Sequence, residues 1–545
     1  MRLTPSDDSK VLVTGSAWMT VGSIVSRIMG AVYVIPWGIW LGSSFFLANS
    51  LFAKGYNIYS LFIIVSTAGI PSALSKQIAH YDAIGESDTS HQLLKDSLLV
   101  MSLLGLLSSI IMWLAAPVFA WQNNQVDLRM VSVIHALCWP LAIIPPISIF
   151  RGYFQGRSQM GPSAISQLIE QIARIGYLLM ATYIIMNIQH GGYVRAVSQS
   201  TFAAFIGAMC ALIYLVFKFK KQDDFSLHET SIEKSKYQRK EALLELLRQS
   251  LPFVVLDSAV VLFQFIDQYT FPVIMHQFHS ATNAEINFLY GLFGFNSNKL
   301  TMIVISLSTA MASTAIPLLS RTFAKKNFAN LSIKIQSALK LFFFVMLPGA
   351  VGMLSLAEPL NIVFYRSADH LGVNLLKVNS LIAVVVGLFI LLVSIMQAVR
   401  HSKQAIFYFL VGLTFKAIFQ VASVGIFQAY GPLIATCAGF AVSSILMTRR
   451  LKIDFQINLH NLIKFVIGIS LLVVIMASVV RLSSYFCYQL FEVSARSSLV
   501  VLFMGAIIGT LTYGALSLKT RAADAAFGFS LDTLRNRLRV KLRIF

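Results

Sequence analysis

SLFIIVSTAGIPSALSK (Ser60–Lys76) returns later in the chain, in altered form, as IVISLSTAMASTAIPLLSR (Ile303–Arg321). Each copy runs through Ser-Thr-Ala to Ile-Pro, then to Leu-Ser and a cation. The copies lie about 245 residues apart, a parallel doubling of the kind found in transporters built from two helical bundles. A weaker echo at a similar separation pairs QGRSQMGP (Gln155–Pro162) with QAVRHSKQ (Gln397–Gln404). Working outward from these copies, each half holds six apolar blocks, and two more blocks follow the second half.

Composition says what solvent the blocks face. Of 545 residues, 57% are hydrophobic and 12% charged, too few charges to cover a soluble protein of this size. The blocks are long enough to span about 30 Å of hydrocarbon, which takes about 20 residues. About fourteen spans are expected, all helical, because lipid leaves an open backbone no other way to satisfy its hydrogen bonds. They begin near Val11, Phe45, Leu93, Met130, Pro162 and Gly192, then near Leu251, Phe288, Ser332, Val373, Ala405 and Pro432, and finally near Leu462 and Ser498. The fold class is therefore an all-α polytopic membrane protein, two six-helix bundles around a central cavity plus two extra C-terminal helices. The expected divisions are a first bundle over 1–219, an amphipathic cytoplasmic linker over 220–249 and a second bundle over 250–452. Two further spans cover 453–519, and a basic tail covers 520–545.

Charge sets the orientation. One set of loops carries Lys76, Lys95, Arg151, Arg157, Lys218 to Arg248, Arg321 to Lys334, Arg400, Lys403 and Arg449 to Lys452. The alternate loops carry only Arg129, Arg195, Arg366, Arg481 and Arg496. The rich set is expected in the cytoplasm, with both termini. The net charge of +20 is thus read as a topology and lipid signal, with no nucleic acid as partner. Cys138, Cys210, Cys437 and Cys487 show no metal or redox spacing and read as small apolar residues. The first apolar block is too long for a cleaved signal and is interrupted by Arg27.

A charge at mid-bilayer costs about 2.5–3.5 kcal/mol on insertion scales, so it marks a cavity, a partner or a function. Arg27 falls in the first span, Lys54 in the second, Lys299 in the eighth and Lys416 in the eleventh. If the first three line one cavity, it suits an anionic substrate; snorkelling or an internal pair is the alternative. Asp257 and Asp267 fall in the seventh span, nearly three turns apart. They read as a cation or proton coupling site, or as pairing partners for Lys299 or Arg27. Gln264 and Gln268 beside Asp267 suggest a wet surface there.

FRGYFQGRSQMGPSAISQLIEQIARI (Phe150–Ile175) is the most charged piece of the apolar region. Arg151 and Arg157 flank a cytoplasmic turn and are expected as a topology anchor and as an entrance that collects an anionic headgroup. Gly152 and Gly156 permit a turn or close approach, and Gly161-Pro162 starts the next span. Glu170 and Arg174, at i and i+4, are expected to pair on one helix.

The same stretch resembles the fourth-to-fifth span signature of MurJ-like lipid II flippases of the Gram-positive type, within the multidrug/oligosaccharidyl-lipid/polysaccharide (MOP) exporter superfamily. SRIMGAVYVIPWGIWLG (Ser26–Gly42), KGYNIYSLFIIVSTAGIPSALSK (Lys54–Lys76), FIDQYTF (Phe265–Phe271) and KLTMIVISLSTA (Lys299–Ala310) resemble other spans of that family, so the likeness covers roughly residues 11 to 520. It implies a transporter, not an enzyme, that carries a lipid-linked cell-wall precursor from the inner to the outer leaflet by alternating access. It implies a cationic cavity, with Arg27 and Lys299 matching the first-span arginine and eighth-span basic residue. The chain departs from Gram-negative members at Tyr33, where they carry a second arginine, and at Ala48 and Asn49, where they carry an acid. No catalytic residue, metal site or cofactor is expected. The resetting force is membrane potential or a coupling ion, Na+ or H+, at Asp257 or Asp267. Expected partners are the lipid-linked anionic substrate, membrane lipids and cell-wall synthesis proteins. SKYQRKEALLELLRQSLPF in the linker and SLDTLRNRLRVKLRIF in the tail read as helices lying on the anionic leaflet, with a partner-binding tail as the alternative.

The open rivals are a flippase for another lipid-linked saccharide, such as a capsule or teichoic precursor, and a cation-coupled drug exporter, which would favour an acidic cavity. No nucleotide motif or loop long enough for a catalytic domain is present.

Overall fold

The computed structural model describes residue 26, residues 29, 30 and 32–221 except 68, 84, 86, 123, 124 and 158, residues 251–528 except 367 and 368, and residues 532 and 535. The expectations for Arg27, for the linker helix within 222–250 and for most of the basic tail lie outside the described residues.

Helices make up almost all of what is described. In the first half they are α1 (Val34–Leu41), α2 (Phe45–Thr67), α3 (Ile70–Ala83), α4 (Ser87–Phe119), α5 (Leu128–Gly156), α6 (Met160–Tyr183) and α7 (Tyr193–Lys221). A two-residue hairpin, β1 (Trp121–Gln122) with β2 (Gln125–Val126), joins α4 to α5. Then come α8 (Ala259–His279), α9 (Asn283–Tyr290), α10 (Asn298–Ala324), α11 (Phe328–Ser355), α12 (Ala357–Tyr365) and α13 (His370–Ala398). The last are α14 (Ser402–Phe427), α15 (Gly431–Phe455), α16 (Leu459–Leu490), α17 (Ala495–Lys519) and α18 (Ala522–Phe527). Their starts carry the residues that satisfy orphan amides: Asp127, Thr282, Asn327, Asp369, Asn458 and Ser494 each accept from a first-turn N–H.

Eleven helices or helix runs among the described residues are long and apolar enough to cross a membrane, or twelve when Leu251–Asp257 and Ala259–His279, bent by 45°, count as one span. One run, Ser402–Phe455, has 54 residues and is broken at Gln428–Tyr430 into α14 and α15. At 1.5 Å per residue neither half alone is short of a bilayer. About fourteen were expected over the whole chain, and the expected start of the first, near Val11, lies outside the described residues. This is a multi-pass membrane protein whose described spans are all helical.

The chain divides into two compact units, Met1–Tyr269 and Thr270–Phe545. In the first, Ile70, Leu74 and Ile78 of α3 pack with Leu93 and Met101 of α4, Tyr153 and Phe154 of α5, and Leu215 of α7. Two glycines of the charged stretch make this possible. A Cβ on Gly152 would stand 2.7 Å from the Pro71 carbonyl oxygen, and one on Gly156 2.8 Å from that of Ser75, so α5 rides directly on the α3 backbone. In the second unit, Ile469, Val473, Met476 and Val480 of α16 and Tyr513 of α17 pack with Leu356, which places the two extra helices on the α11–α12 corner.

The two sequence copies fold differently at one point. In the first, α2 stops at Thr67 and Gly69 takes φ +74 before α3 begins. Only glycine enters that region without a steric penalty. In the second copy Met311 follows Ser-Thr-Ala, and α10 runs unbroken from Asn298 to Ala324.

Candidate functional site

Lys54 lies in the middle of α2 and is 4% exposed. Its Nζ donates to Gln122 Oε1 at 3.3 Å, in the β1–β2 hairpin. Two charges act on it through space: the Asp127 carboxylate, which favours the cation, and the Arg129 guanidinium, which opposes it. Arg129 grips Asp127 with two nitrogens, at 2.9 and 3.0 Å, and reaches Tyr193 Oη at 3.3 Å. Burial works against the Asp127 carboxylate, but the hydrogen bonds and charge of Arg129 outweigh it and hold the group below the usual carboxylate range. One turn along α2 from Lys54, Asn57 Nδ2 donates to Gln268 Oε1 at 3.2 Å, and Tyr269 Oη donates to the Phe119 carbonyl at 3.0 Å. Lys54, Asn57, Gln122, Gln268 and Tyr269 thus form a polar face of the first unit. Asp267, next to Gln268, is buried in the same region.

Asp257 and Asp267 do not share an environment. Asp257 is exposed at the end of Leu251–Asp257, before the 45° bend, while Asp267 is 8% exposed in α8 beyond it. The bend interrupts the helical phase, so the spacing of nearly three turns does not carry across it.

Lys299 sits in the second unit, at the start of α10, half-buried, with Nζ 5.7 Å from the Phe295 ring centroid. A π-helical segment, Gly291–Ser297, leads into it. Nearby Asn379 Nδ2 donates to Ser297 Oγ at 2.9 Å and Thr301 Oγ1 at 3.3 Å, so the helix carries a polar seam here. Lys416, in α14, is fully buried and donates to Thr436 Oγ1 at 2.8 Å in α15.

The two arginines expected at the cytoplasmic entrance are each committed to a carboxylate. Arg151 donates to Glu170 Oε2 at 2.7 Å and to Ser166 Oγ at 2.9 Å. Arg157 donates to Asp82 Oδ2 at 3.0 Å and lies over the Tyr153 ring at 4.7 Å. This corrects the expected Glu170–Arg174 pair. Helices α5 and α6 are joined by a tight turn, and Arg151 reaches Glu170 across it while Gln155 donates to Ser163. Glu170 therefore bridges two helices instead of one turn of its own.

Arg174, left without Glu170, turns to α2. Its Nη1 donates to Tyr56 Oη at 3.3 Å and its guanidinium carbon is 5.3 Å from the Tyr56 ring centroid. Tyr33 and Tyr59, both buried, lie within electrostatic reach of its charge. Assigning Arg174 to a helix-surface pair from spacing alone missed this. The signal in the sequence was the tyrosine pair at Tyr56 and Tyr59, one turn apart on a span otherwise rich in aliphatic and small residues.

No group of three or more His, Cys, Asp or Glu converges among the described residues.

Residues 12–323 match the family described as polysaccharide biosynthesis protein. Over 521 residues the chain is 31% identical to the lipid II flippase MurJ of Bacillus subtilis (strain 168), covering 92% of this chain and 94% of that protein. The fold is similar to a solved structure of lipid II flippase MurJ in an inward closed conformation, with TM-score 0.63 and 14% identity over 92% of this chain and 99% of that one. It is also similar to an outward-facing multidrug resistance MATE family transporter of the MOP superfamily, with TM-score 0.58 and 15% identity over 81% of this chain and 95% of that one. At such identities the solved structures speak for the fold alone.

Proposed function

This chain belongs to the polysaccharide biosynthesis protein family, and from that membership we propose that it is a lipid II flippase, a transporter that moves the lipid-linked peptidoglycan precursor from the inner to the outer leaflet. The observation that carries this is the 31% identity to a lipid II flippase across 92% of one chain and 94% of the other. A shared fold would be equally compatible with drug export, since both kinds of protein are fold neighbours.

The chemistry of the residues agrees. A diphosphate-linked headgroup crossing lipid must exchange water for other donors, and buried cations supply them. Lys54 is such a cation in the first unit, and Lys299 stands beside a polar seam in the second. Arg27 is proposed as a third. The headgroup enters from the cytoplasm, the polyprenyl tail stays in lipid, and the bundles alternate access. Arg151 and Arg157 contribute little net charge at the entrance, because Glu170 and Asp82 neutralise them. Reset comes from membrane potential, worth about 2.3 kcal/mol per charge per 100 mV, or from Na+ or H+ at Asp267. The protein is assigned to the bacterial plasma membrane, with both termini cytoplasmic and cell-wall synthesis proteins as neighbours.

The test is complementation of a conditional strain depleted of its lipid II flippase. Growth with the wild-type chain, lost with Arg27→Ala, Lys54→Ala or Lys299→Ala at matched membrane levels, is expected. Failure of well-expressed wild-type protein would overturn the assignment, and rescue by all three variants would overturn the site.

A further inference from the structure

The Arg174 guanidinium has five N–H donors, and one of them meets an acceptor among the described residues, at Tyr56. No carboxylate lies within ion-pair distance of it among those residues, since Glu170 is engaged by Arg151. Arg174 is fourteen residues into α6, near the middle of a 29-residue membrane run, and is only half-buried. A guanidinium at that depth with open donors needs oxygen acceptors, because unmet donors are costly in a low-dielectric setting. Water or an anion must provide them, so this part of the first unit is wet.

The surroundings are those of an oxyanion site. Tyr56 Oη accepts from Arg174 and keeps its own proton to donate. Tyr33, just before α1, and Tyr59, one turn on from Tyr56, bring two more phenols toward the same charge. A Cβ on Gly30 would stand 3.2 Å from Gln171 Nε2, one turn before Arg174, so Gly30 lies close to the α6 face that carries Arg174. Lys54 is not part of this group. Lys54 and Tyr56 are two residues apart, roughly 200° around the helix, and so point to opposite sides of α2.

We propose that Arg174, with Tyr56 and its neighbouring phenols, forms a second anion-binding site within the first unit, one that takes the oxygens of a diphosphate. The guanidinium offers a planar fork to two phosphate oxygens while Tyr56 donates to a third. Combined with the flippase reading, on which this last step rests, the site receives the substrate's diphosphate on the side of α2 away from Lys54. The pairing chemistry is the same for a lipid-linked and a free diphosphate.

The experiment uses the full chain, purified in detergent, and measures binding of farnesyl diphosphate and of inorganic pyrophosphate by calorimetry. Arg174→Gln is expected to weaken binding at least tenfold and Tyr56→Phe about threefold, with melting temperatures within a few degrees of wild type. Arg174→Lys, which keeps the charge but not the fork, is expected to fall between wild type and Arg174→Gln. Arg174 dependence for farnesyl diphosphate alone assigns the site to a lipid headgroup; the same dependence for pyrophosphate assigns it to free diphosphate as well. Wild-type affinity in Tyr56→Phe and Arg174→Lys overturns the proposal even if Arg174→Gln fails to fold, and so does a wild-type chain that binds neither probe. A lowered melting temperature with unchanged affinity in Arg174→Gln makes the residue a clamp between α2 and α6 and also overturns it. Lipid II translocation by the wild-type chain in vesicles is scored separately. Arg174-dependent binding without translocation removes the flippase reading and leaves the site, while translocation with Arg174-independent binding does the reverse.

Discussion

Removing Glu170 should expose which arginine it serves. The Arg151–Glu170 contact is 2.7 Å, with side chains 17% and 24% exposed. At an effective dielectric of about 20 the attraction is about 6 kcal/mol before desolvation and lost side-chain freedom are subtracted. Exposed pairs retain about 0.2–1 kcal/mol, and breaking a fully buried pair costs about 3–5 kcal/mol. An intermediate coupling of about 2 kcal/mol follows for these partly covered side chains. For Glu170 with Arg174, which are not paired, the coupling should be no more than an isolated i,i+4 contact, about 0.3–0.5 kcal/mol. The assay is a pair of double-mutant cycles on apparent melting in detergent, Glu170→Gln with Arg151→Gln and Glu170→Gln with Arg174→Gln. The first cycle should depart clearly from additivity and the second should not. A larger coupling in the Arg174 cycle would refute the interhelical assignment, and with it the reason Arg174 is left for other work.

Gly156→Ala should destabilise by about 1–3 kcal/mol through overpacking against the Ser75 carbonyl oxygen, whereas Gly161→Ala, whose Cβ meets nothing within 4 Å, should be close to neutral; thermal melts of both test this. Lys54→Gln, which keeps a hydrogen-bonding tip near Gln122, should retain the fold but lose at least about tenfold in translocation rate, because a neutral amide gives up the charge-assisted half of the contact. Full activity in Lys54→Gln vesicles would show that the charge is dispensable. Asp127 is held below its ordinary range in the folded chain, so its contribution to stability is complete above about pH 3.9, the unfolded value, and fades as pH falls toward its folded value. The melting difference between wild type and Asp127→Asn, which keeps the helix cap, should therefore shrink from pH 7 to pH 3; a constant difference would mean that the Arg129 contact does not depend on charge.

The membrane class and the helices could be read directly from residue order, because lipid forces a spanning segment to be apolar, helical and about 20 residues long. Lys54 could be singled out for the same reason: a cation within an apolar run is costly wherever the helix is placed. Pairing partners could not be read that way. Spacing of four made Arg174 a candidate for Glu170, but Arg151, nineteen residues earlier, holds the carboxylate because the tight turn between α5 and α6 brings the two side chains within reach. The two copies of the Ser-Thr-Ala motif read alike, yet the helix breaks at Gly69 in one and runs on through Met311 in the other. What a charge costs is a property of the residue and its solvent, and the sequence states both. Which acceptor meets that cost depends on a few ångströms between helices far apart in the chain, and only packing sets those.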